Sequence, residues 1–176
     1  MSLPAVAQRM MPLQIATRGP RINAEPLTAE AFAPFGEVFS RLSEPGRLDP
    51  QLILENSRPG ARPVLTLIRV APKQVPLEVT MLERHPHSSQ TFVPLQVTRY
   101  LVIVAPKQPD GGPDLAQVRA FVVAADQGVN YRLDTWHHSL TVIDKEGEFA
   151  VLVWNDGSSA DTEFLPLSES FVVLTP

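Results

Sequence analysis

All four histidines of the chain fall in two short places: His85 and His87, then the adjacent pair His137 and His138. Imidazole is the side chain that most readily takes either a proton or a metal ion near neutral pH. On an extended strand alternate side chains share a face. Val79, Met81, Glu83, His85 and, beyond Pro86, His87 are therefore expected to point one way, and Leu82 and Arg84 the other. An HxH pair on one face is a two-point metal chelate. Gln90 adds an oxygen donor, and His137 from a second strand completes a site with positions left open for water or substrate. Such donors suit Ni, Fe, Mn or Zn alike.

Glu83 shares the predicted face of His85. Against an apolar wall its carboxyl could act as general acid or base, or it could hydrogen-bond a ligating imidazole. His138, beside the proposed ligand His137, is a further candidate for proton transfer. Arg84 is either an exposed salt-bridge partner or a bidentate clamp for a substrate carboxylate. Asn130, Tyr131 and Arg132 precede the second histidine pair, as turn and rim residues or as the lining of a barrel mouth, and Trp136 is core or ligand contact. Ser88 and Ser89 lack a nucleophile-elbow context, and no phosphate-cradling glycine loop occurs. There is no cysteine, which removes thiol nucleophiles and cysteine-ligated zinc.

Positioning these groups falls to short strands. Proline occurs 18 times and glycine 9 times in 176 residues, a punctuation too dense for long helices. Strands are expected over 64–70, 77–84, 97–105, 118–125, 136–144 and 149–154, all rich in β-branched and apolar residues. Pro63, Pro72, Pro76, Pro86, Pro94 and Pro106 are expected at strand ends. Hairpin turns are expected at Asp110-Gly111-Gly112 and Lys145-Glu146-Gly147. One helix is expected over 28–35, with Thr28 as N-cap, Glu30 in the first turn and Gly36 at its end, and a second short one after Pro113. Many antiparallel strands in a chain of this length point to an all-β sandwich or small barrel.

The length suits one domain with a sizeable core. Lys plus Arg total 15 and Asp plus Glu 19, for a net charge of −4 with no basic cluster, which argues against a nucleic-acid partner. No apolar run approaches the roughly 20 residues that span a bilayer, so no membrane partner and a cytoplasmic protein are expected. Residues 1–20 carry Arg9 and Arg18 and no acidic residue, and are expected to be a flexible N-terminal extension ahead of a single domain over 21–176.

Glu83-Arg84-His85-Pro86, followed by Ser89-Gln90-Thr91-Phe92-Val93-Pro94, resembles the central motif of the ureidoglycolate lyase family. Gly128-Val129-Asn130-Tyr131 with Trp136-His137-His138 resembles its second motif, and Leu27 to Phe32 with Phe35-Gly36-Glu37-Val38 its opening helix. Pro113-Asp114-Leu115 and Arg119-Ala120-Phe121 fall at the matching spacing. The resemblance implies an all-β, cupin-type jelly-roll barrel with a few short peripheral helices, a homodimer, and a divalent metal, with nickel the associated ion. It implies conversion of (S)-ureidoglycolate to glyoxylate and urea in allantoin and purine catabolism. Residue by residue, its functional candidates are Glu83, His85, Gln90, Asn130, Tyr131, Trp136, His137 and His138. Together with the spacing, this assigns catalysis to Glu83, His85 and His138, and substrate binding to Arg84, Gln90, Asn130, Tyr131 and Trp136. Metal binding goes to His85, His87, Gln90 and His137. Another cupin enzyme on a small hydroxy or keto acid, and a non-catalytic ligand-binding cupin, are the alternatives. Two positions depart from the family: His87, where its members vary, and Asn155-Asp156-Gly157-Ser158 in place of an Asp-Arg-Gly-Gly-like segment. If the arginine of that segment binds the substrate carboxylate in relatives, this chain must use another cation, or another substrate.

Overall fold

The computed structural model describes residues 19–176, so all but the last two residues of the expected extension 1–20 lie outside the described residues. The strands are, in chain order, β1 (Arg21–Asn23), β2 (Glu25–Pro26), β3 (Gly36–Ser40), β4 (Arg62–Val70), β5 (Leu77–Arg84), β6 (Gln90–Gln96), β7 (Arg99–Ala105), β8 (Arg119–Ala124), β9 (Gln127–Tyr131), β10 (Trp136–His137), β11 (Thr141–Ile143), β12 (Gly147–Asn155) and β13 (Glu163–Leu174). One sheet runs β1-β13-β5-β10-β7-β8-β2, with β11 also on β7, and the other runs β3-β9-β6-β12-β4. The expected all-β architecture is present as a nearly closed, barrel-like pair of sheets.

Phe92, Val129, Tyr131, Phe149 and Val151 from the five-stranded sheet meet Tyr100, Val102, Val104, Phe121 and Val123 from the larger one, and form the barrel core. Tyr100 and Phe149 join the two layers edge to face at 5.1 Å, the arrangement aromatic quadrupoles favour. A second cluster, with Leu82, Leu101, Ile103, Trp136 and Phe171, lies on the other face of the larger sheet.

Most expected strands occur with ends moved by a residue or two, but 136–144 is split into β10 and β11. Pro94, expected at a strand end, sits inside β6 opposite Phe149, next to a register shift that accommodates its missing N–H. The turn at 110–112 closes the connection between β7 and β8, with Gly111 donating to Gln108. The turn at 145–147 makes no hairpin. Asp144, at φ 70°, leads the chain from β11 in one sheet to β12 in the other.

Helix α1 spans Ala29–Phe32, shorter than expected, with the Thr28 hydroxyl accepting from the Ala31 N–H at 3.1 Å as the N-cap. The segment after Pro113 is a single 3₁₀ turn, Leu115–Gln117, capped by Asp114. Gly36 opens β3 instead of simply ending the helix. A Cβ there would stand 1.8 Å from the Asn130 carbonyl oxygen, so only glycine lets β3 and β9 approach this closely.

Candidate active site

The two residues of β10 are wedged between β5 and β7, so His137 pairs with Glu83 on one side and Val104 on the other. That register turns Trp136 toward the outer cluster and His137 toward the barrel core. His137 is 1 % exposed. Its ring stacks on Tyr131 at 4.3 Å and 15°, and its centroid lies 5.5 Å from that of His85. His137 Nε2 is 3.5 Å from Glu83 Oε1. Gln90 pairs with Tyr131 in the β6–β9 ladder and lines one cavity with His85. Glu83, His85, Gln90, Tyr131 and His137 thus come together from four strands, β5 and its end, β6, β9 and β10.

The tautomers follow from the hydrogen bonds. His85 Nδ1 lies 2.7 Å from the Asp161 carbonyl oxygen, His137 Nδ1 2.8 Å from that of Thr135, and His138 Nδ1 3.1 Å from that of Met81. A carbonyl only accepts, so each Nδ1 carries a hydrogen and each Nε2 is left for other work. All three Nε2 atoms are buried without a hydrogen-bond partner.

Burial pushes the His85 imidazole below its ordinary pKa, and positive charge on His137 adds to this. Burial lowers His138 as well, against the pull of the Met81 carbonyl. Burial alone would raise the Glu83 carboxyl. The interaction with His137, 3.5 Å away, and with Ser139 outweighs it and holds Glu83 below the ordinary carboxylate range. The Tyr131 phenol, buried beside Glu83, is pushed far up and stays neutral.

Several expected residues go elsewhere. The His87 ring lies 3.2 Å from the Ser57 hydroxyl, away from His85, because strand β5 ends at Arg84 and Pro86 breaks the alternation. Among the described residues no group of three or more His, Cys, Asp or Glu side chains is gathered closely enough to hold a metal ion, so the proposed set of His85, His87, Gln90 and His137 is not assembled as a metal centre. Arg84 and Trp136 lie on the outer face with Leu82. The guanidinium sits 4.6 Å over the indole, pairs with Glu163 and Asp134, and shares the Gly111 carbonyl with the Trp136 N–H. Asn130 is fully buried on the outer side of the small sheet. Its amide donates to Glu37 and the Ile53 carbonyl and accepts from Thr91, which leaves no donor for a substrate. His138 is turned to Met81, apart from the stacked His137–Tyr131 pair. Val79 packs with Leu82 and Met81 is exposed, because β13 bulges between Pro166 and Phe171 and breaks the alternation along β5.

Asp161 is the residue the motifs do not announce. Its carbonyl holds His85, and its carboxylate accepts from the His87 N–H at 2.8 Å, from Ser88 and from Arg58 at 3.0 Å. Nothing in the spacing of an acid so remote in sequence signals this role.

A sequence model of the family described as ureidoglycolate lyase matches residues 19–174. A ureidoglycolate lyase of Burkholderia mallei is 40 % identical over 157 residues, covering 84 % of this chain and 91 % of that protein. Those of Rhizobium etli and Mesorhizobium japonicum are 37 % and 34 % identical, covering 88 % and 89 % of this chain and 96 % and 99 % of theirs. Among solved structures, the oxalate decarboxylase of Lactobacillus farciminis in its formate complex is similar with a TM-score of 0.40 at 16 % identity, over 82 % of this chain and 33 % of that one. With Glu83 and His85 of one motif set beside Tyr131 and His137 of the other, and a family match running nearly end to end, this chain belongs to the ureidoglycolate lyase family.

Proposed function

We propose that the chain cleaves (S)-ureidoglycolate to glyoxylate and urea, within a single domain over 21–176. The observation that carries this reading is the buried carboxylate–imidazole pair Glu83–His137 beside a second, neutral imidazole, His85. Neighbouring titratable groups pushed to different protonation states are how acid and base roles are divided at one pH.

One carbon of the substrate bears the carboxylate, the hydroxyl and the ureido nitrogen. His85 Nε2, kept unprotonated by burial and by charge on His137, takes the hydroxyl proton. The C–O bond becomes a carbonyl and the C–N bond breaks. Protonated His137, its cation stabilised by Glu83, delivers a proton to the departing nitrogen. The hydroxyl loses one proton and the nitrogen gains one, so glyoxylate and urea leave without net proton release. Tyr131 holds the His137 ring by stacking, and Gln90 contributes a buried, unpartnered carbonyl oxygen to the same space.

Two copies are proposed to associate through the outer face of the five-stranded sheet. Leu65 and Leu67 on β4 are 66 % and 70 % exposed and Leu95 on β6 is 48 % exposed, flanking Ala150 and Leu152 on β12 between them. Leucines side by side on an open sheet face are the kind of patch monomers avoid. No helix among the described residues is long and apolar enough to cross a membrane, and the proposed compartment is the cytoplasm.

Purified protein incubated with racemic ureidoglycolate, with and without added nickel or manganese, is expected to yield glyoxylate and equal urea from one enantiomer. A response to nickel would add metal dependence. Glyoxylate with ammonia would make the reaction a hydrolysis, and no glyoxylate under any metal would overturn the proposal.

A further inference from the structure

Arg58, outside both histidine motifs, reaches the same cavity as His85. This cavity, of about 240 Å³, is lined by Arg58, His85, Gln90, Trp154, Ser158 and Asp161 among others. It is smaller than the roughly 300–1,000 Å³ of pockets for drug-sized molecules, so it suits a ligand of few atoms. Its lining residues hold an unusual number of unsatisfied buried groups. Arg58 Nε and Nη1, Trp154 Nε1, His85 Nε2 and Gln90 Oε1 are all buried without a hydrogen-bond partner. Unpaired buried polar atoms are costly and call for an explanation.

The set is sorted by chemistry. Arg58 and Trp154 offer donors only. Gln90 Oε1 and His85 Nε2, its Nδ1 hydrogen being on the Asp161 carbonyl, offer acceptors. Arg58 is also fixed in place. Its side chain is 12 % exposed, and Nη2 lies 3.0 Å from Asp161 Oδ2 and 2.8 Å from the Trp154 carbonyl oxygen. Asn56 holds its backbone, accepting from the Arg58 N–H at 3.2 Å and donating to its carbonyl at 2.8 Å. Asp161 therefore clamps both Arg58 and His85, one through its carboxylate and the other through its carbonyl. Asp156 Oδ2 lies 3.0 Å from Arg58 Nη1 but off the hydrogen-bonding direction, leaving that nitrogen's donor unused. No lysine or arginine occurs after Trp154, so the loop that closes this cavity supplies no cation of its own.

We propose that Arg58 is the cation that receives the substrate carboxylate, while Gln90 Oε1 and His85 Nε2 accept from its N–H and hydroxyl groups. This rests on the substrate being a small 2-hydroxy carboxylate with a ureido group, as proposed above. Asp156 competes: its carboxylate faces the guanidinium edge that the ligand must take, from a loop whose Asp156 side chain is 25 % exposed.

The test is calorimetric binding of oxalurate, which keeps the carboxylate and ureido group with a keto oxygen for the hydroxyl, against oxaluramide, its uncharged amide. Wild-type protein is expected to prefer oxalurate by roughly 10- to 100-fold, the range of a hydrogen bond to a charged partner. Arg58→Gln is expected to erase that preference. Asp156→Asn, which leaves the Arg58–Asp161 pair intact, is expected to tighten oxalurate binding a few-fold and leave oxaluramide unchanged. A wild type without preference overturns the assignment. So does a folded Arg58→Gln that still discriminates. Should Arg58→Gln not fold, Asp156→Asn decides: unchanged oxalurate affinity rejects the assignment. A wild type that binds oxalurate in this pattern yet cleaves no ureidoglycolate would refute the lyase reading while leaving Arg58 as a carboxylate site.

Discussion

Glu83 Oε1 faces His137 Nε2 at 3.5 Å across the β5–β10 register, so a carboxylate and an imidazole far apart in the chain form one buried acid–base unit. His137 helps hold the Glu83 carboxyl below the ordinary carboxylate range, and Glu83 is the carboxylate that faces the His137 ring. Glu83→Gln and His137→Gln are each expected to lower kcat by about 10² to 10⁴ with far smaller changes in KM. Groups that act as a unit are not additive, so the double variant is expected to be little worse than the worse single one. Losses that multiply would show the two working independently.

The buried imidazoles make stability depend on pH with a definite sign. His85 and His138 both have folded-state values below the ordinary 6.5. Below pH 6.5, down to those folded values, the unfolded chain binds more protons than the folded one. Stability therefore rises with pH through that window and is lost as pH falls below 6.5. Glu83, depressed below 4.5, adds a contribution present above 4.5 and lost as pH falls through its folded value. Urea midpoints measured from pH 8 to pH 4 are expected to decline from 6.5 downward, with a shallower decline in His85→Gln/His138→Gln. Equal slopes for the two proteins would reject these imidazoles as the cause.

Asn130 is placed by its bonds as structural. Its carboxamide ties Glu37 on β3, Thr91 on β6 and the loop carbonyl of Ile53. Asn130→Ala is expected to cost about 1–3 kcal/mol in a denaturant titration, since it strands buried partners, while kcat per folded molecule stays near wild type. A hundredfold fall in kcat with normal stability would return Asn130 to the site.

Leu67→Lys in the exposed leucine patch is expected to convert the proposed dimer to monomer in sedimentation without unfolding it, because the side chain is 70 % exposed in the single chain. A variant that sediments as the wild type does would place any interface on another face.

The order of residues by itself determined the strand character of the chain, the Thr28 cap, the positions of β4, β5, β7, β8 and β12, and the two places where imidazoles gather. Those features depend on neighbours: β-branched runs, proline punctuation and a hydroxyl three residues from the N–H it caps. The facing of side chains depends on partners, and a one-residue slip inverts it. Strict alternation put Val79 with Glu83, whereas the bulge in β13 sets Val79 beside Leu82. The same dependence sent Arg84 and Trp136 to the outer face and His137 to the inner one. Only the tertiary structure brought Asp161 to His85 and Arg58 to the same cavity, because long-range contacts leave no periodic trace in sequence.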